Sequence, residues 1–149
     1  MRPAEIRSYD ALAVQQLLAH RHPFLLVDKI DVVEPGRRVI GIKRLTAGEW
    51  WSSPTPAMPI AFPLVVEALA QTGAALLVDL VDTASGAVGY FMGADHVRFR
   101  HSARAGDTLR LDVTLRQWKR GICKTRGVAT VGDLVVATAD LTTIVRGAK

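Results

Sequence analysis

Hydrophobic and polar positions divide the chain into one long apolar segment and several shorter alternating ones. The most apolar stretch runs from Pro63 to Val81 and holds only isolated polar residues, Glu67 and Gln71 among them. A proline in the first helical turn, and the break Ala84-Ser85-Gly86 after the stretch, predict one long helix that ends at about Asp82. Because this helix is apolar nearly all round, we expect it to be covered on most sides.

Alternating positions on both sides of the long helix predict β-strands. Before it, Leu25–Val33 and Arg38–Leu45 form a hairpin through Pro35-Gly36, and a short helix from Ala11 to about His20 precedes them. The strands after the helix are Val88–Phe99, Thr108–Arg116, Ile122–Val131 and Leu134–Val145. A hairpin, a long helix and a meander of strands predict an α+β fold, with one curved antiparallel sheet wrapped around the helix in a single domain, residues 1–149.

Two polar side chains on the long helix stand out as candidate functional residues. Glu67 and Gln71 are four positions apart, so they share one face of the helix, and the flanking apolar residues place that face inside the protein. Burying an unpaired carboxylate costs several kcal/mol. Glu67 therefore needs either a structural partner, such as a backbone N–H or an arginine, or a chemical function. We expect Gln71 either to orient Glu67 or to satisfy buried backbone groups, rather than to touch substrate.

The net charge and the composition limit the classes of partner that we expect the protein to bind. The formal net charge of +5 favours an acidic partner, but aromatic residues make up only 6%, and we expect Phe24, Phe91 and Phe99 in the core rather than on a nucleic-acid surface. The single cysteine, Cys123, excludes an internal disulfide and a multi-cysteine metal site, and a packed structural thiol is favoured.

The start of the chain has no apolar targeting region. We expect a soluble cytoplasmic protein with no cofactor, no metal, no nucleic-acid partner and no membrane partner.

Segments throughout the chain resemble a known family. They are LLAHRHPFLLVDKI (Leu17–Ile30), VVEALAQTGA (Val65–Ala74), YFMGADHVRFRHSARAGDTLRLDV (Tyr90–Val113) and RGICKTRGVATVGDLVVATADLT (Arg120–Thr142). In this order they resemble the FabZ-type 3-hydroxyacyl-acyl carrier protein dehydratases of fatty acid synthesis, which have the hot-dog fold. The first segment is similar to the family's Pro-His-Arg-Tyr-Pro-Phe-Leu-Leu-Val-Asp, with His22 where tyrosine is usual.

The resemblance implies an active site shared between the two subunits of a dimer. A histidine in a His-Phe-Pro-Gly motif removes the proton alpha to the thioester, and a helix glutamate of the other subunit helps the hydroxyl leave as water. Glu67 and Gln71 match the helix residues. The histidine is missing, because alignment without a gap places Ser53 there and one deletion places Pro54–Ala57 over the motif. Neither serine nor proline can supply the missing base.

Other departures from the family affect the rest of the implied site. Phe62-Pro63 replaces the family's Pro-Gly pair at the helix entry, and Pro63 has no N–H to offer a thioester oxygen. His22 is the candidate for a relocated base because it replaces the family tyrosine, although a surface or helix-end histidine is the simpler interpretation. The residues implied to bind substrate are Phe62, Pro63, Trp51, Phe91, Met92 and Gly93.

The implied partners follow from the same resemblance. Arg98, Arg100 and Arg104 either form a solvated strand face or dock the phosphopantetheine phosphate or an acidic carrier protein. We expect acyl carrier protein or an acyl thioester as ligand. The expected assembly is a homodimer or a higher assembly of dimers, or a heterodimer with a histidine-bearing homologue.

Three functions remain open at this point. The first is dehydration of 3-hydroxyacyl thioesters in fatty acid or polyketide-type biosynthesis, with Glu67 as the retained acid/base. The second is a pseudoenzyme role, as an acyl-binding module or as a subunit that completes the site of a histidine-bearing dehydratase. The third is hydrolysis of acyl thioesters, with the helix carboxylate as base or nucleophile.

Overall fold

A single antiparallel sheet of seven strands forms the framework of the protein. The computed structural model describes residues 6–52 and 58–147. Its strands are β1 (Arg7–Tyr9), β2 (Lys29–Glu34), β3 (Arg38–Arg44), β4 (Val88–Phe99), β5 (Thr108–Lys119), β6 (Ile122–Val131) and β7 (Leu134–Arg146). They are ordered β1-β2-β3-β5-β6-β7-β4, so β1 and β4 are the edges. The helices are α1 (Ala11–Leu17), α2 (Phe62–Ala74) and α3 (Leu77–Leu80).

The curved sheet wraps around α2, as the pattern predicts for an α+β hot-dog fold. Alternate residues of β5 and β6 point at the helix and are buried, whereas the residues between them lie on the outer face. From the helix, Val65, Ala68 and Leu69 are fully buried in the same core. Leu69 reaches so close to β6 that a Cβ on Gly127 would lie 3.1 Å from its methyl groups. A glycine at that position lets helix and sheet approach.

The predicted boundaries depart most from the structure at the long helix and at the first long strand. The long helix expected to reach about Asp82 ends at Ala74, and α3 follows as one separate turn after the bend at Ala75 and Leu76. The strand expected over Leu25–Val33 begins only at Lys29. Before it, the Leu26 N–H donates to the Gln71 side chain of α2, and the first backbone hydrogen bond to β3 is that of Asp28 N–H to the Ile42 carbonyl.

The N-terminal edge also differs from the prediction. Arg7–Tyr9 forms β1, a short strand not expected from the pattern, and pairs with β2. Arg7 makes a two-pronged ion pair with Asp79 of α3, with N···O distances of 2.8 and 2.9 Å. This pair ties the edge strand to α3 and raises the pKa of the arginine.

The three phenylalanines expected in the core are not fully buried. Phe24, Phe91 and Phe99 are 57%, 47% and 43% exposed. Phe91 lies on the edge strand β4, which pairs only with β7 among the described residues and so leaves one side without a strand neighbour. Phe99 stacks on Phe62 with ring centroids 4.3 Å apart. Strand alternation could not reveal an edge strand whose apolar side chains face outward.

The stretch Phe62–Leu80 has the length and hydropathy of a helix that could cross a membrane. In the structure it contains two helices, and the first is packed into the sheet. The core helix of a globular domain meets the same criterion, so here the hydropathy reflects burial within the fold.

Gly41 of β3 tests how tightly the sheet is packed on α2. A Cβ added there would overlap the Thr72 hydroxyl oxygen and lie 2.9 Å from its methyl group, and Thr72 is fully buried. We expect Gly41→Ala to lower the free energy of unfolding by about 1–3 kcal/mol, because the core must shift to accept the methyl group. Urea denaturation measures the difference.

Gly48→Ala is the matched control. A Cβ at Gly48 would meet one atom, at 3.9 Å, so its effect should stay within about 0.5 kcal/mol. Equal stability of the two variants would contradict the close helix–sheet packing.

Candidate active site

Gln71 is the buried centre of the polar cluster on α2. Only 2% of the residue is exposed, and its side-chain amide is hydrogen-bonded to backbone groups and to a side chain of the protein. Its amide nitrogen Nε2 donates to Glu67 Oε1 at 2.9 Å and to the Phe24 carbonyl at 2.8 Å, while its Oε1 accepts from the Leu26 N–H at 2.8 Å. Gln71 therefore binds the helix, the 24–26 segment and Glu67 together, which agrees with the expectation that it orients Glu67.

Glu67 lies at the edge of the core. Its side chain is 37% exposed, so the carboxylate does not pay the full cost of burial that the apolar flanks suggested. Among the described residues, both side-chain contacts of the carboxylate are to Oε1: the hydrogen bond from Gln71 and an ion-pair contact of 3.5 Å with His20 Nε2. In the same part of the chain no side chain contacts Oε2, so this oxygen can meet another molecule.

His20, and not His22, is the histidine that the fold brings to Glu67. His22 is exposed and makes no contact with Glu67 in the described part of the chain. His20 follows α1, and its Nδ1 is buried without a hydrogen-bond partner among the described residues. Sequence reasoning selected His22 because it departs from the family pattern. The sequence did contain a signal for His20, because this residue matches the histidine of the family's Pro-His-Arg segment.

An apolar cleft of about 660 Å³ opens on the other side of His20. It lies between α1, the α2–α3 region and the ends of β4 and β7. The residues around it are Tyr9, Ala13, Gln16, Leu17, Leu18, Ala19, His20, Ala74, Leu77, Val78, Val81, Ala87, Val88, Gly89 and Val145. His20 thus connects a carboxylate with a cavity of the size and character of a small-molecule site.

The start of α2 offers few free N–H groups. Pro63 stands in the first turn and has no N–H, Ala61 provides no side-chain cap, and the Leu64 N–H already donates to the Ala61 carbonyl at 2.9 Å. Half-buried Phe62 is stacked on Phe99 beside this turn. The positions aligned with the family histidine, Ser53 and Pro54–Ala57, lie outside the described residues.

The other residues implied to bind substrate are spread over the surface. Trp51 is half-buried, packs against the core and holds the Lys43 ammonium 5.9 Å from its ring centroid. Phe91, Met92 and Gly93 lie on the edge strand β4, away from the cleft lining, to which Val88 and Gly89 of this strand contribute instead. The structure does not bring the predicted substrate set together within one chain.

The remaining reactive side chains are occupied elsewhere. His96 Nδ1 lies 2.9 Å from Asp140, and His101 Nδ1 lies 2.8 Å from the Val135 carbonyl. Burial raises the pKa of the Cys123 thiol to about 11, so little thiolate forms at neutral pH. The described residues contain no group of three or more His, Cys, Asp or Glu side chains placed to hold a metal ion. Arg98, Arg100 and Arg104 are all exposed.

Replacing Gln71 by leucine tests its role in joining the helix to the 24–26 segment. The change leaves the buried Leu26 N–H and the Phe24 carbonyl without partners, so we expect a loss of about 2–4 kcal/mol in the free energy of unfolding. Gln15→Leu, on the exposed side of α1, should change stability by less than about 0.5 kcal/mol. Equal stability of the two variants in urea denaturation would show that Gln71 does not hold this segment.

The chain is similar in sequence to a known family of proteins. The FabA-like domain family matches residues 18–140. The 3-hydroxyacyl-acyl-carrier-protein dehydratase FabZ of Roseiflexus sp. (strain RS-1) is 45% identical over 136 residues, which cover 87% of this chain and 94% of the relative. The FabZ of Thermoanaerobacter sp. (strain X514) is 44% identical over 131 residues, covering 86% of this chain and 91% of the relative.

Solved structures show the same fold at low sequence identity. The dehydratase heterocomplex ApeI:P from Xenorhabdus doucetiae superimposes with a TM-score of 0.71 at 17% identity, covering 90% of this chain and 91% of the matched chain. A mutant thioesterase from Pseudomonas aeruginosa gives 0.73 at 11% identity, covering 93% and 95%. The family match and the identity to the two FabZ relatives decide the assignment: this chain belongs to the FabA-like, FabZ-type 3-hydroxyacyl-acyl-carrier-protein dehydratase family, with a hot-dog fold.

Proposed function

We propose that the protein removes water from 3-hydroxyacyl thioesters carried on acyl carrier protein, with Glu67 as the acid/base. The observation that carries the proposal is the arrangement of Glu67. Gln71 holds one carboxylate oxygen, no residue in the described ranges contacts the other, and His20 connects the carboxylate with an apolar cleft.

The chemistry needs one proton removed and one delivered. Dehydration takes a proton from the carbon alpha to the thioester and releases the β-hydroxyl as water, leaving a double bond between the two carbons. A positioned carboxylate can serve as base for the first step and, once protonated, as acid for the second. The partial exposure of Glu67 lets a substrate reach it, and the donors on Oε1 leave Oε2 for the proton.

The apolar cleft is the proposed site of the acyl chain. Its lining is dominated by aliphatic side chains, and its volume of about 660 Å³ falls within the usual range for ligand pockets, about 300–1,000 Å³. Burying methylene groups there contributes about 0.8 kcal/mol each. The three exposed arginines Arg98, Arg100 and Arg104 are proposed to dock the acidic carrier protein or its phosphopantetheine phosphate. A cytoplasmic location remains a prediction.

A dimer through β4 is part of the proposal. This edge strand has no strand neighbour on one side among the described residues, and its exposed apolar side chains include Tyr90 (54%), Phe91 (47%) and Met92 (63%). An edge of this length and apolarity favours pairing with another strand. Pairing with a second copy would bring Phe91, Met92 and Gly93 of one subunit to the other, which the single chain does not do.

A half-site role is the second candidate. The segment Ser53–Ala57 contains no histidine, so a partner that carries the motif histidine could use Glu67 of this chain to complete its own site. The neighbours named as thioesterases are below 25% identity and share only the fold, so they give no support to hydrolysis.

Glu67→Gln tests the proposed activity. We expect the purified protein to convert a 3-hydroxyacyl-carrier substrate to the enoyl product with loss of water, and Glu67→Gln to reduce the rate at least about 100-fold, since the amide cannot accept the proton. Mass spectrometry of the acyl carrier protein follows the reaction. Glu34→Gln, at an exposed glutamate in β2, is the matched control and should keep the wild-type rate.

The same experiment separates the alternatives. No conversion by the protein alone, but conversion after a histidine-bearing homologue is added, would contradict self-sufficient dehydration and support the half-site role. Free carrier thiol without enoyl product would identify a hydrolase. A rate unchanged in Glu67→Gln would exclude Glu67 as the acid/base.

Tyr90→Lys tests the β4 dimer. In an antiparallel pair of β4 strands the substitution places two like charges close together, so we expect the dimer to weaken at least about tenfold in sedimentation equilibrium. Leu134→Lys, at a residue equally exposed (54%) but at the start of β7, should leave the assembly unchanged. Equal dissociation of both variants, or none of either, would show that β4 is not the interface.

A further inference from the structure

His20 occupies a position that the proposed dehydration does not yet explain. Its Nε2 lies 3.5 Å from Glu67 Oε1, on the oxygen that also accepts from Gln71, and its ring forms part of the wall of the apolar cleft. The side chain is 40% exposed, yet the Nδ1 atom is buried. One ring nitrogen therefore faces the carboxylate while the other faces the protein interior.

The buried nitrogen decides where the ring carries its proton. Nδ1 has no hydrogen-bond partner among the described residues, and a buried N–H without an acceptor is costly. A neutral ring with its proton on Nε2 places no N–H at the buried position and gains an attractive contact with the Glu67 carboxylate. At 3.5 Å the contact is longer than a formed hydrogen bond, and catalytic hydrogen bonds of this kind shorten when the substrate is bound.

We propose that His20 is a positioning residue for Glu67, whose Nε2–H donates to Oε1 beside the Gln71 amide so that Oε2 alone takes and returns the proton. The inference rests on the proposed dehydration. It makes the acid–base centre complete within one chain, built from Glu67, Gln71 and His20, without the motif histidine.

The Glu67 carboxylate alone accounts for both proton transfers of the reaction. Oε2 of ionised Glu67 accepts the proton from the α-carbon, and the electron pair of that C–H bond becomes the new carbon–carbon double bond. As the C–O bond at the β-carbon breaks, Oε2 returns the proton to the departing hydroxyl, which leaves as water. Glu67 is ionised again, and His20 and Gln71 have neither gained nor lost a proton.

This role differs from that of a relocated catalytic base. A base would need a free lone pair on Nε2 and hence a proton on the buried, unpartnered Nδ1. A donor needs only an N–H at the Nε2 position. Glutamine can place its Nε2–H near that position but cannot act as a base, so it separates the two roles.

The experiment compares His20→Gln with His20→Leu in the full-length protein, using a 3-hydroxyacyl-carrier substrate. We expect His20→Leu to reduce kcat about 10- to 100-fold with little change in KM, since the cleft wall stays apolar while a hydrogen bond to a charged group is lost. His20→Gln should recover most of that loss. His101→Leu, at an exposed histidine in the bend after β4, is the control and should match wild type.

Three results would overturn the inference while dehydration itself stands. Equal inactivity of His20→Gln and His20→Leu would make His20 the base, and equal wild-type activity of both would give it no role. A loss confined to KM would make it only a contact of the acyl chain. In each case Glu67→Gln still abolishes turnover, which keeps the proposed function separate.

An NMR measurement that needs no catalytic turnover tests the same contact between His20 and Glu67. In protein labelled with ¹⁵N-histidine, the neutral His20 ring should show a protonated Nε2 and a bare Nδ1 by NMR. We expect this pattern whether or not the wild type dehydrates the substrate offered. A protonated Nδ1 would overturn the inference, whereas the expected tautomer in a protein that never dehydrates would contradict the proposed function alone.

Discussion

The hydrogen bonds of one buried amide hold the site together. Gln71 satisfies a backbone N–H and a backbone carbonyl of the 24–26 segment and donates to Glu67, all from a side chain in the core. Because these backbone groups have no strand partner there, their pairing depends on this residue. The 24–26 segment, which follows His20 in the chain, is therefore set against α2 by the same side chain that contacts the carboxylate.

In the proposed function, this arrangement supplies the acid–base chemistry although a family motif is altered. The family site draws its histidine from the loop before the helix, and in this chain that loop has Ser53 and Pro54–Ala57 instead. Within residues 6–52 and 58–147, the contacts of Glu67 are made from its own helix and from the segment after α1. A carboxylate held within one subunit needs no group from the altered loop, provided that one oxygen can carry the proton in both directions.

The sequence predicted most of the fold because its signals are local. The bounds of β4 agree with the prediction, and the glycine turn at Gly132, with a φ of 55°, joins β6 to β7 as expected. The bend at Ala75 and Leu76 was missed because those residues are good helix formers in an unbroken apolar run. The start of β2 was missed because Leu25 to Asp28 has strand-like residues, yet the Leu26 N–H donates to the Gln71 side chain and not to a strand. The pairing of Glu67 with Gln71 follows from helical spacing, whereas the approach of His20 depends on a long-range contact that no spacing encodes.

The most direct test of a self-sufficient site is a single-turnover measurement with the chain as the only protein besides the substrate carrier. Excess enzyme is mixed with a 3-hydroxyacyl thioester on its carrier, and the enoyl product is followed by quenched-flow mass spectrometry. The account predicts complete conversion in one exponential phase, with no second dehydratase subunit present. Conversion that starts only when a histidine-bearing homologue is added would contradict it and would make this chain one half of a shared site.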